Sequence, residues 1–288
     1  MSKANKYGIL EFKRDFPDDD ACLGLVFETL HSRKCSCGGT YNRIKSRKQF
    51  QCSKCRFQIS PLAGTIFHKS DTPLSMWFLA ILLFSNAKSG YSAKQLERDL
   101  NVTYKTAWRM LMLIRKAIPQ GTDFLSGEVE MDETYFGGRF RSGKGNRLQR
   151  EAIKAKSVIV GAVERKGSIR AKVSPNEKAK TIGKFLDGNI NPINTRLMTD
   201  ESNRYNVVAR GYNRETVNHR AKEYVRGDVY TNTIESFWGH LKRSVRGTHK
   251  FVSKKHLQSY VDGFVFHYNT RHNDSERFSY LLNVLLHA

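Results

Sequence analysis

The stretch GEVEMDETYFGG, residues 127–138, has the alternating pattern of a β-strand. One face would carry Val129, Met131, Glu133 and Tyr135, and the other Glu128, Glu130, Asp132 and Thr134. The apolar members of the first set favour a packed face, and the glycine pair at the end favours a turn. Two acids, Glu130 and Asp132, share the second face and could present carboxylates to a metal ion. A half-solvated strand without a site explains the same pattern equally well.

The composition points to a polyanionic partner. The 288 residues include 49 Lys and Arg against 27 Asp and Glu, a formal net charge of +22. Nucleic acid fits this excess best. A basic membrane-surface protein is disfavoured because the positive charge is spread along the whole chain. The length allows one large catalytic domain with small modules attached, or two medium domains.

The sequence shows no targeting or membrane segment. Its first twenty residues lack the apolar core of a secretory signal. The longest unbroken apolar run, Met76 to Phe84, has nine residues, which is too short to span a bilayer and predicts a buried helix. We therefore expect a cytoplasmic protein that associates with the nucleoid and not with a membrane. In a reducing compartment, clustered cysteines favour metal binding over disulfides.

Two cysteine knuckles flank a basic segment, and their members are Cys35, Cys37, Cys52 and Cys55. Their spacing predicts a zinc ribbon over residues 31–70, with four thiolates around one structural Zn²⁺. The first knuckle has one residue between its cysteines where ribbons commonly have two, so His31 could replace Cys35 as a ligand. A redox pair, or cysteines without a shared role, is the alternative. The basic segment is expected to contact phosphate.

Helices are predicted on both sides of this ribbon. Residues 1–30 form a helical segment to which no chemistry is assigned. Residues 71–121 begin with an apolar helix that Asp71 or Thr72 could cap and that Gly90 would close. The apolar richness of this helix predicts that it belongs to the core.

The rest of residues 71–121 resembles a helix-turn-helix. Ser92 is predicted to cap a short helix through Leu100, and Thr103 to cap a second helix. The second helix carries the predicted DNA contacts Lys105, Arg109 and Arg115. An ordinary helical hairpin with a core of Trp108, Leu111 and Ile114 explains the same pattern. DNA binding is favoured because the pair follows a zinc knuckle in a basic chain.

A mixed α/β sheet is predicted beyond the opening strand. A basic loop over residues 139–156 is expected to lie along a phosphate backbone. It is followed by a hairpin of residues 157–173, a helix within 175–190, and a strand that ends in Asp200. Neighbouring strands of such a sheet can bring the carboxylates of Asp132 and Asp200 together.

A third acid is expected from a helix. This helix would begin at Thr231 or Asn232, carry Glu235 in its first turn and Lys242 two turns further on. Asn232 and Glu235 are three residues apart and therefore share a face. Hard divalent cations prefer oxygen ligands, and three carboxylates from separate elements provide them.

With these motifs in this order, the chain resembles the ISXO-like DDE transposases of bacterial insertion sequences, which are relatives of the Merlin elements. The resemblance covers nearly the whole chain from about residue 31. It rests on the ribbon followed by GTIFHKSDTPLSMWF (64–78), on GEVEMDETYFGG (127–138), on TDES (199–202), on YVRGDVYTNTIESFWGHLKR (224–243) and on VSKKHLQSYVDGFVFHYNTR (252–271).

The resemblance implies a ribonuclease H-like catalytic domain over residues 126–288. Its acidic triad would be Asp132, Asp200 and Glu235, holding Mg²⁺ or Mn²⁺, with Lys242 as the basic residue seven positions after the glutamate. Thirty-four residues separate Asp200 from Glu235, and this separation is typical of DDE recombinases. Because some branches of the family have asparagine as third member, Asn232 is a rival or helper. Glutamate is favoured because an anionic oxygen neutralises a metal better than an amide.

The implied activity is metal-dependent DNA cleavage and strand transfer. The partners would be double-stranded DNA, namely terminal inverted repeats and target DNA, and further copies of the chain assembled on it. Lys242 and Arg243 would hold phosphate, whereas a lone histidine such as His219 is more often structural. The alternatives are a DNA-binding regulator derived from a transposase and a ribonuclease H-like nuclease without strand joining.

Overall fold

A computed structural model describes residues 7–137 and 156–288. These residues divide into two compact units, one up to Ile118 together with Thr270–Ala288, and one from Pro119 to Asn269. The predicted catalytic domain ran to residue 288, whereas the compact unit with the mixed sheet ends at Asn269. Almost all of the basic loop predicted over 139–156 lies outside the described residues.

The secondary structure follows in chain order. The α-helices are α1 (Ile9–Asp15), α2 (Asp19–Leu30), α3 (Leu74–Asn86), α4 (Ala93–Leu100), α5 (Tyr104–Ala117), α6 (Ala179–Asp187), α7 (Asn203–Val208), α8 (Asn232–Ser244), α9 (Leu257–Asn269) and α10 (Arg277–Leu286). The strands are β1 (Tyr41–Ile44), β2 (Gln49–Cys52), β3 (Gln58–Ile59), β4 (Leu125–Phe136), β5 (Ser157–Glu164), β6 (Ile169–Ser174), β7 (Ile190–Asp200), β8 (Asn213–Val217), β9 (Val225–Arg226) and β10 (Val229–Tyr230). Among the helices of the described residues, none has the length and apolarity that a membrane span needs.

The predicted pair of helices is present as α4 and α5. The Ser92 hydroxyl accepts a hydrogen bond from the Gln95 amide at 3.1 Å, and the Thr103 hydroxyl accepts one from the Thr106 amide at 3.2 Å. Both predicted caps are therefore confirmed. Asn101 ends α4 in the left-handed conformation, which an asparagine adopts more readily than most residues.

The cap of α3 differs from the prediction. Asp71 and Thr72 do not cap this helix; instead the Asp19 carboxylate, far away in sequence, accepts the amides of Leu74 at 3.0 Å and Ser75 at 2.9 Å. A carboxylate at this position satisfies two free amides and interacts favourably with the helix dipole. Asp19 of the N-terminal segment thus has a structural partner that local spacing does not reveal.

The second unit is built on a five-stranded sheet of order β6-β5-β4-β7-β8. Strand β4 pairs antiparallel with β5 and parallel with β7, and β7 pairs parallel with β8. The predicted hairpin is β5 and β6, and the predicted strand ends at Asp200 as expected. The mixed sheet confirms the predicted α/β, ribonuclease H-like fold class.

Helices cover both faces of this sheet. Val129 and Met131 of β4 pack with Ile182 and Leu186 of α6, as expected for the apolar face. On the other face, α8 packs so closely on β5 that a Cβ atom at Gly161 would lie 2.6 Å from the Trp238 ring. The alternative of a half-solvated strand does not describe the middle of β4, because Glu130 and Thr134, on the face that carries the acids, are buried.

Candidate active site

Asp132 lies near the middle of the sheet, opposite Gly161 of β5. The indole Nε1–H of Trp238 donates a hydrogen bond to Asp132 Oδ2 at 3.1 Å, which orients the carboxyl group from α8. Burial raises the pKa of Asp132 to about 7, and the neighbouring charges of Glu133, Asp200 and Glu235 add to that increase.

Asp200 occupies the carboxyl end of β7, the parallel neighbour of β4. Its Oδ1 atom accepts the Ser202 amide at 3.0 Å, and its backbone carbonyl accepts a hydrogen bond from Arg214 Nη2 at 3.0 Å. The turn beyond the strand is therefore held tightly. It borders an open pocket of about 350 Å³ lined by residues 200–204.

Glu235 comes from the first turn of α8 and is half-exposed. Its Oε1 atom accepts a hydrogen bond from the Thr231 hydroxyl at 3.1 Å and lies 3.7 Å from His219 Nε2. The His219 backbone amide donates in turn to Glu201 Oε2 at 3.0 Å. The structure thus brings His219 beside the third acid, whereas Asn232, at the first position of α8, is exposed.

The charges of Asp200 and Glu235 act on Asp132, but the three carboxylates do not meet at one point. Asp200 and Glu235 both raise the pKa of Asp132. Apart from the four cysteines, no three potential metal ligands among the described residues bring their ligand atoms within 4.8 Å of one another. A buried carboxyl group surrounded by like charges suits a divalent cation, because the cation would offset that repulsion and accepts oxygen ligands.

Lys242 lies on α8, two turns beyond Glu235. Burial lowers the pKa of its ammonium group; Asp132 raises it, and the Arg246 and Lys156 cations lower it. Lys242 shares a face of α8 with Trp238, whose indole bonds Asp132, so the helix carries a cation on the side of the acids. Arg243, the next residue, is exposed, and its guanidinium contacts His240 Nδ1 at 3.2 Å.

Comparison with known proteins identifies the family of the unit that carries the acids. The family model of the ISXO2-like transposase domain matches residues 124–269, just over half of the chain and nearly all of the unit that carries the acids. The chain belongs to the ISXO2-like transposase family. It is also 27% identical over 236 residues to an uncharacterized protein in transposable element ISH50 of Halobacterium salinarum, a match that covers 78% of this chain and 79% of that protein.

Glu130, the second acid of the opening strand, has a structural place in this chain. Its side chain is fully buried, and Oε2 accepts the amides of Thr233 at 2.7 Å and Ile234 at 3.1 Å. Its Oε1 accepts hydrogen bonds from the Thr233 hydroxyl and from Arg165 Nε, both at 2.8 Å. Glu130 therefore caps α8 and joins it to β4.

Arg165 completes this connection. Its guanidinium donates to the backbone carbonyls of Asp228 at 2.8 Å and Tyr230 at 3.0 Å, and it lies 3.5 Å from the centre of the Tyr230 ring. Residues that lead into α8 and the first turn of α8 are thus bound to the same ion pair. Glu235 belongs to that first turn, so its position depends on the pair.

Glu133 is an acid near the site that the sequence analysis did not single out. It accepts a hydrogen bond from the buried Tyr205 hydroxyl at 2.8 Å, and its Oε1 atom, which is buried without a hydrogen-bond partner, lies 3.8 Å from Arg204. Burial raises the pKa of Glu133. The available signal was its position: an acid on the face of β4 that otherwise packs apolar side chains.

The four cysteines form a compact cluster in the first unit. Sγ of Cys35 lies 3.6 Å from Sγ of Cys55, and Sγ of Cys37 lies 3.4 Å from Sγ of Cys52. Four thiolates around a tetrahedral zinc would be about 3.8 Å apart, since each Zn–S bond is about 2.3 Å. Cys35 belongs to the cluster and His31 does not, so the cluster can hold a metal without the histidine.

The ribbon surrounds these cysteines. Strands β1, β2 and β3 form an antiparallel sheet in which Tyr41 pairs with Cys52. The Tyr41 hydroxyl donates to Cys35 Sγ at 3.3 Å, and this bond is the largest of several that lower the pKa of that thiol to about 6. A Cβ atom at Gly39 would lie 2.5 Å from Cys52 Sγ, which explains why glycine follows the first knuckle.

The predicted DNA contacts of α5 have two different environments. Lys105 and Arg109 are exposed and four residues apart, so they share one face of the helix. Arg115 is only 3% exposed; its Nη2 donates to the Tyr91 carbonyl at 2.8 Å, and its guanidinium lies 5.7 Å from the Phe84 ring centre. The prediction for Arg115 as a DNA contact is wrong, because its charge is used inside the helical unit.

Proposed function

We propose that this protein is the DNA transposase of an insertion sequence, and that it binds the element ends and catalyses metal-dependent DNA cleavage and strand transfer. The observation that carries the proposal is the coupling of Asp132, Asp200 and Glu235, from two strands of a mixed sheet and the helix α8 packed on it, in a chain of a transposase family. Carboxylates gathered in this way have no evident use in a protein that only binds DNA.

The acids are proposed as ligands of Mg²⁺ or Mn²⁺. Asp132 and Asp200 would hold the ion from adjacent strands, and Glu235 would complete the set from α8. The bound metal would activate the attacking oxygen and stabilise the leaving oxygen of the phosphate group. Asn232 shares the first turn of α8 with Glu235 but carries no charge, so it is proposed as a helper and not as the third ligand.

Residues of the chain would prepare the site for this reaction. The indole of Trp238 fixes one oxygen of Asp132, which leaves Oδ1 to face a ligand. Lys242, partly buried and close to Asp132, would bind a non-bridging phosphate oxygen, and exposed Arg243 would hold the DNA backbone further out. His219 would help to orient Glu235, from which it is 3.7 Å away.

Recognition of DNA is assigned to the first unit. A structural Zn²⁺ held by Cys35, Cys37, Cys52 and Cys55 would stabilise the ribbon, and Lys105 and Arg109 of α5 would contact double-stranded DNA at the terminal repeats. Transposition requires both element ends and a target, so we propose a homo-oligomer assembled on the DNA.

The test is a strand-transfer assay with oligonucleotides from the repeats that flank the gene and with Mg²⁺ or Mn²⁺. Asp132→Ala and Glu235→Gln should lose at least about a thousandfold in strand transfer, because each removes a charge from the reacting centre. Asn232→Ala should retain most of the activity. Glu128→Gln is the matched control, since Glu128 is on the same face of β4 as Asp132 and half-exposed.

The proposal fails if Asp132→Ala or Glu235→Gln keeps full strand transfer while binding the repeats normally. Cleavage without any joining would support a nuclease instead. Binding of the repeats with neither cleavage nor joining, for the unaltered protein and either metal, would support a regulator.

A further inference from the structure

The segment that follows α8 is strongly basic. We call residues 242–255 the basic turn; it contains six Lys and Arg, and no Asp or Glu occurs between Glu235 and Asp262. Five of the six cations are exposed: Arg243, Arg246, Lys250, Lys254 and Lys255. The sixth, Lys242, lies one turn beyond Trp238 on α8, and the Trp238 indole bonds Asp132, so the basic turn begins beside the candidate active site.

The backbone of the basic turn is strained. Helix α8 runs into a π-helical turn, Val245–His249, a type that occurs frequently at functional sites. The Phe251 amide then donates to the His249 carbonyl at 2.7 Å across Lys250, which has φ 63° and ψ −52°. This is the rare γ-turn with positive φ, and a lysine adopts it only when its surroundings enforce it.

Both ends of the strained segment are anchored in the core. Val245 is 4% exposed and Val252 is 8% exposed, and both belong to the hydrophobic cluster between the sheet, α8 and α9. Between these anchors the γ-turn directs Phe251 outward, where it is 77% exposed. The backbone therefore holds the Phe251 ring in a defined position, and cationic residues precede and follow Phe251 in the sequence.

An exposed aromatic ring among cations has the chemistry that binds unpaired nucleotides. Cations neutralise the phosphates, and the ring stacks on a base, whose faces are available only outside the helical stack. We propose that the basic turn binds a DNA strand end beside the reacting centre, with Phe251 stacked on an unpaired base and with Arg246, Lys250 and Lys254 at phosphates. The proposal extends the proposed function, which would generate such ends, but the binding itself needs no catalysis.

The experiment measures DNA binding by the full-length protein without added Mg²⁺ or Mn²⁺. The probes are a labelled thymidine oligonucleotide of about 12 nucleotides and a blunt duplex of the same length. Phe251→Ala should bind the single strand about tenfold more weakly and the duplex almost normally, because only the single strand offers free base faces. Phe124→Ala is the matched control, since Phe124 is 53% exposed in the same compact unit, and it should bind both probes normally.

Two further measurements separate stacking from charge. Phe251→Trp should keep its affinity, and the fluorescence of the new indole should be quenched by the single strand. Lys254→Ala should reduce the slope of log K against log salt by about 0.7, the contribution of one phosphate on a single strand. Phe251→Ala should leave that slope unchanged.

Normal binding of the single strand by Phe251→Ala would overturn the proposal, as would an equal loss for strand and duplex. A Phe251→Ala protein that binds DNA normally and no longer self-associates in sedimentation would instead make this surface a contact between copies of the chain. These results do not depend on strand transfer. If Asp132→Ala stayed active, the proposed function would fail, and strand binding by the basic turn would be unaffected.

Discussion

Glu130→Ala is expected to loosen the helix that carries Glu235. The substitution removes the acceptor of two amides and of the Thr233 hydroxyl, and leaves Arg165, whose side chain is 9% exposed, without its buried partner. Loss of one member of a buried, hydrogen-bonded ion pair costs about 3–5 kcal/mol. Glu130→Gln keeps one carbonyl acceptor but loses the charge, so its cost should be lower, at about 1.5–3 kcal/mol.

Two measurements check this expectation. Chemical denaturation of the metal-free protein gives the change in the free energy of unfolding. Without metal, ligand binding does not contribute to that change. Hydrogen exchange, measured on a peptide from residues 232–244, reports whether the loss is local to α8. We expect faster exchange in the first turn of α8 in both variants, and unchanged exchange in α4 and α5.

A double-mutant cycle isolates the pair itself. Replacing both residues with apolar side chains, Glu130→Met with Arg165→Met, removes the charges together. Its cost should be smaller than the sum of the two single costs, because neither charge is then left buried alone. Strictly additive costs, or a Glu130→Ala protein with normal stability and normal exchange in α8, would refute the reasoning.

Three further predictions concern the metal cluster, the helix pair and the response to pH. Cys52→Ser should lower the zinc content measured by elemental analysis and unfold the ribbon, since Cys52 is fully buried in the cluster; Cys22→Ser, outside the cluster, should retain the zinc. Arg115→Ala should lower the free energy of unfolding by about 1–3 kcal/mol without changing the salt dependence of DNA binding. Arg109→Ala should keep the stability and reduce the slope of log K against log salt on duplex DNA by about 0.9. The pKa of Asp132 rises from 3.8 in the unfolded chain to about 7 on folding, so the native state holds this proton more tightly than the unfolded state. The free energy of unfolding of the metal-free protein should therefore fall as the pH rises from 3.8 to about 7. Asp132→Asn should flatten that decrease in a pH series of denaturation curves, and an unchanged pH profile would show that Asp132 does not cause it.

Local patterns in the sequence determined much of this protein. A serine or threonine just before a helical pattern predicts the Ser92 and Thr103 caps, because each hydroxyl bonds an amide of its own helix. Cysteine spacing predicts the metal cluster because each knuckle is a short turn that brings two nearby thiols together. Alternation predicts β4 and its apolar face, and the run that leads into Asp200 predicts a strand that ends at this acid.

The tertiary structure alone decided what the remaining charged residues do. Glu130 and Asp132 are equivalent in the alternation of β4, yet one caps α8 and the other lies at the candidate active site. Asp19 caps a helix more than fifty residues away, and Arg115 is buried within the helical unit. The partners of these groups come from distant parts of the chain. Sequence periodicity specifies which face a side chain occupies, whereas the packing of other elements on that face determines its partner, its burial and its pKa.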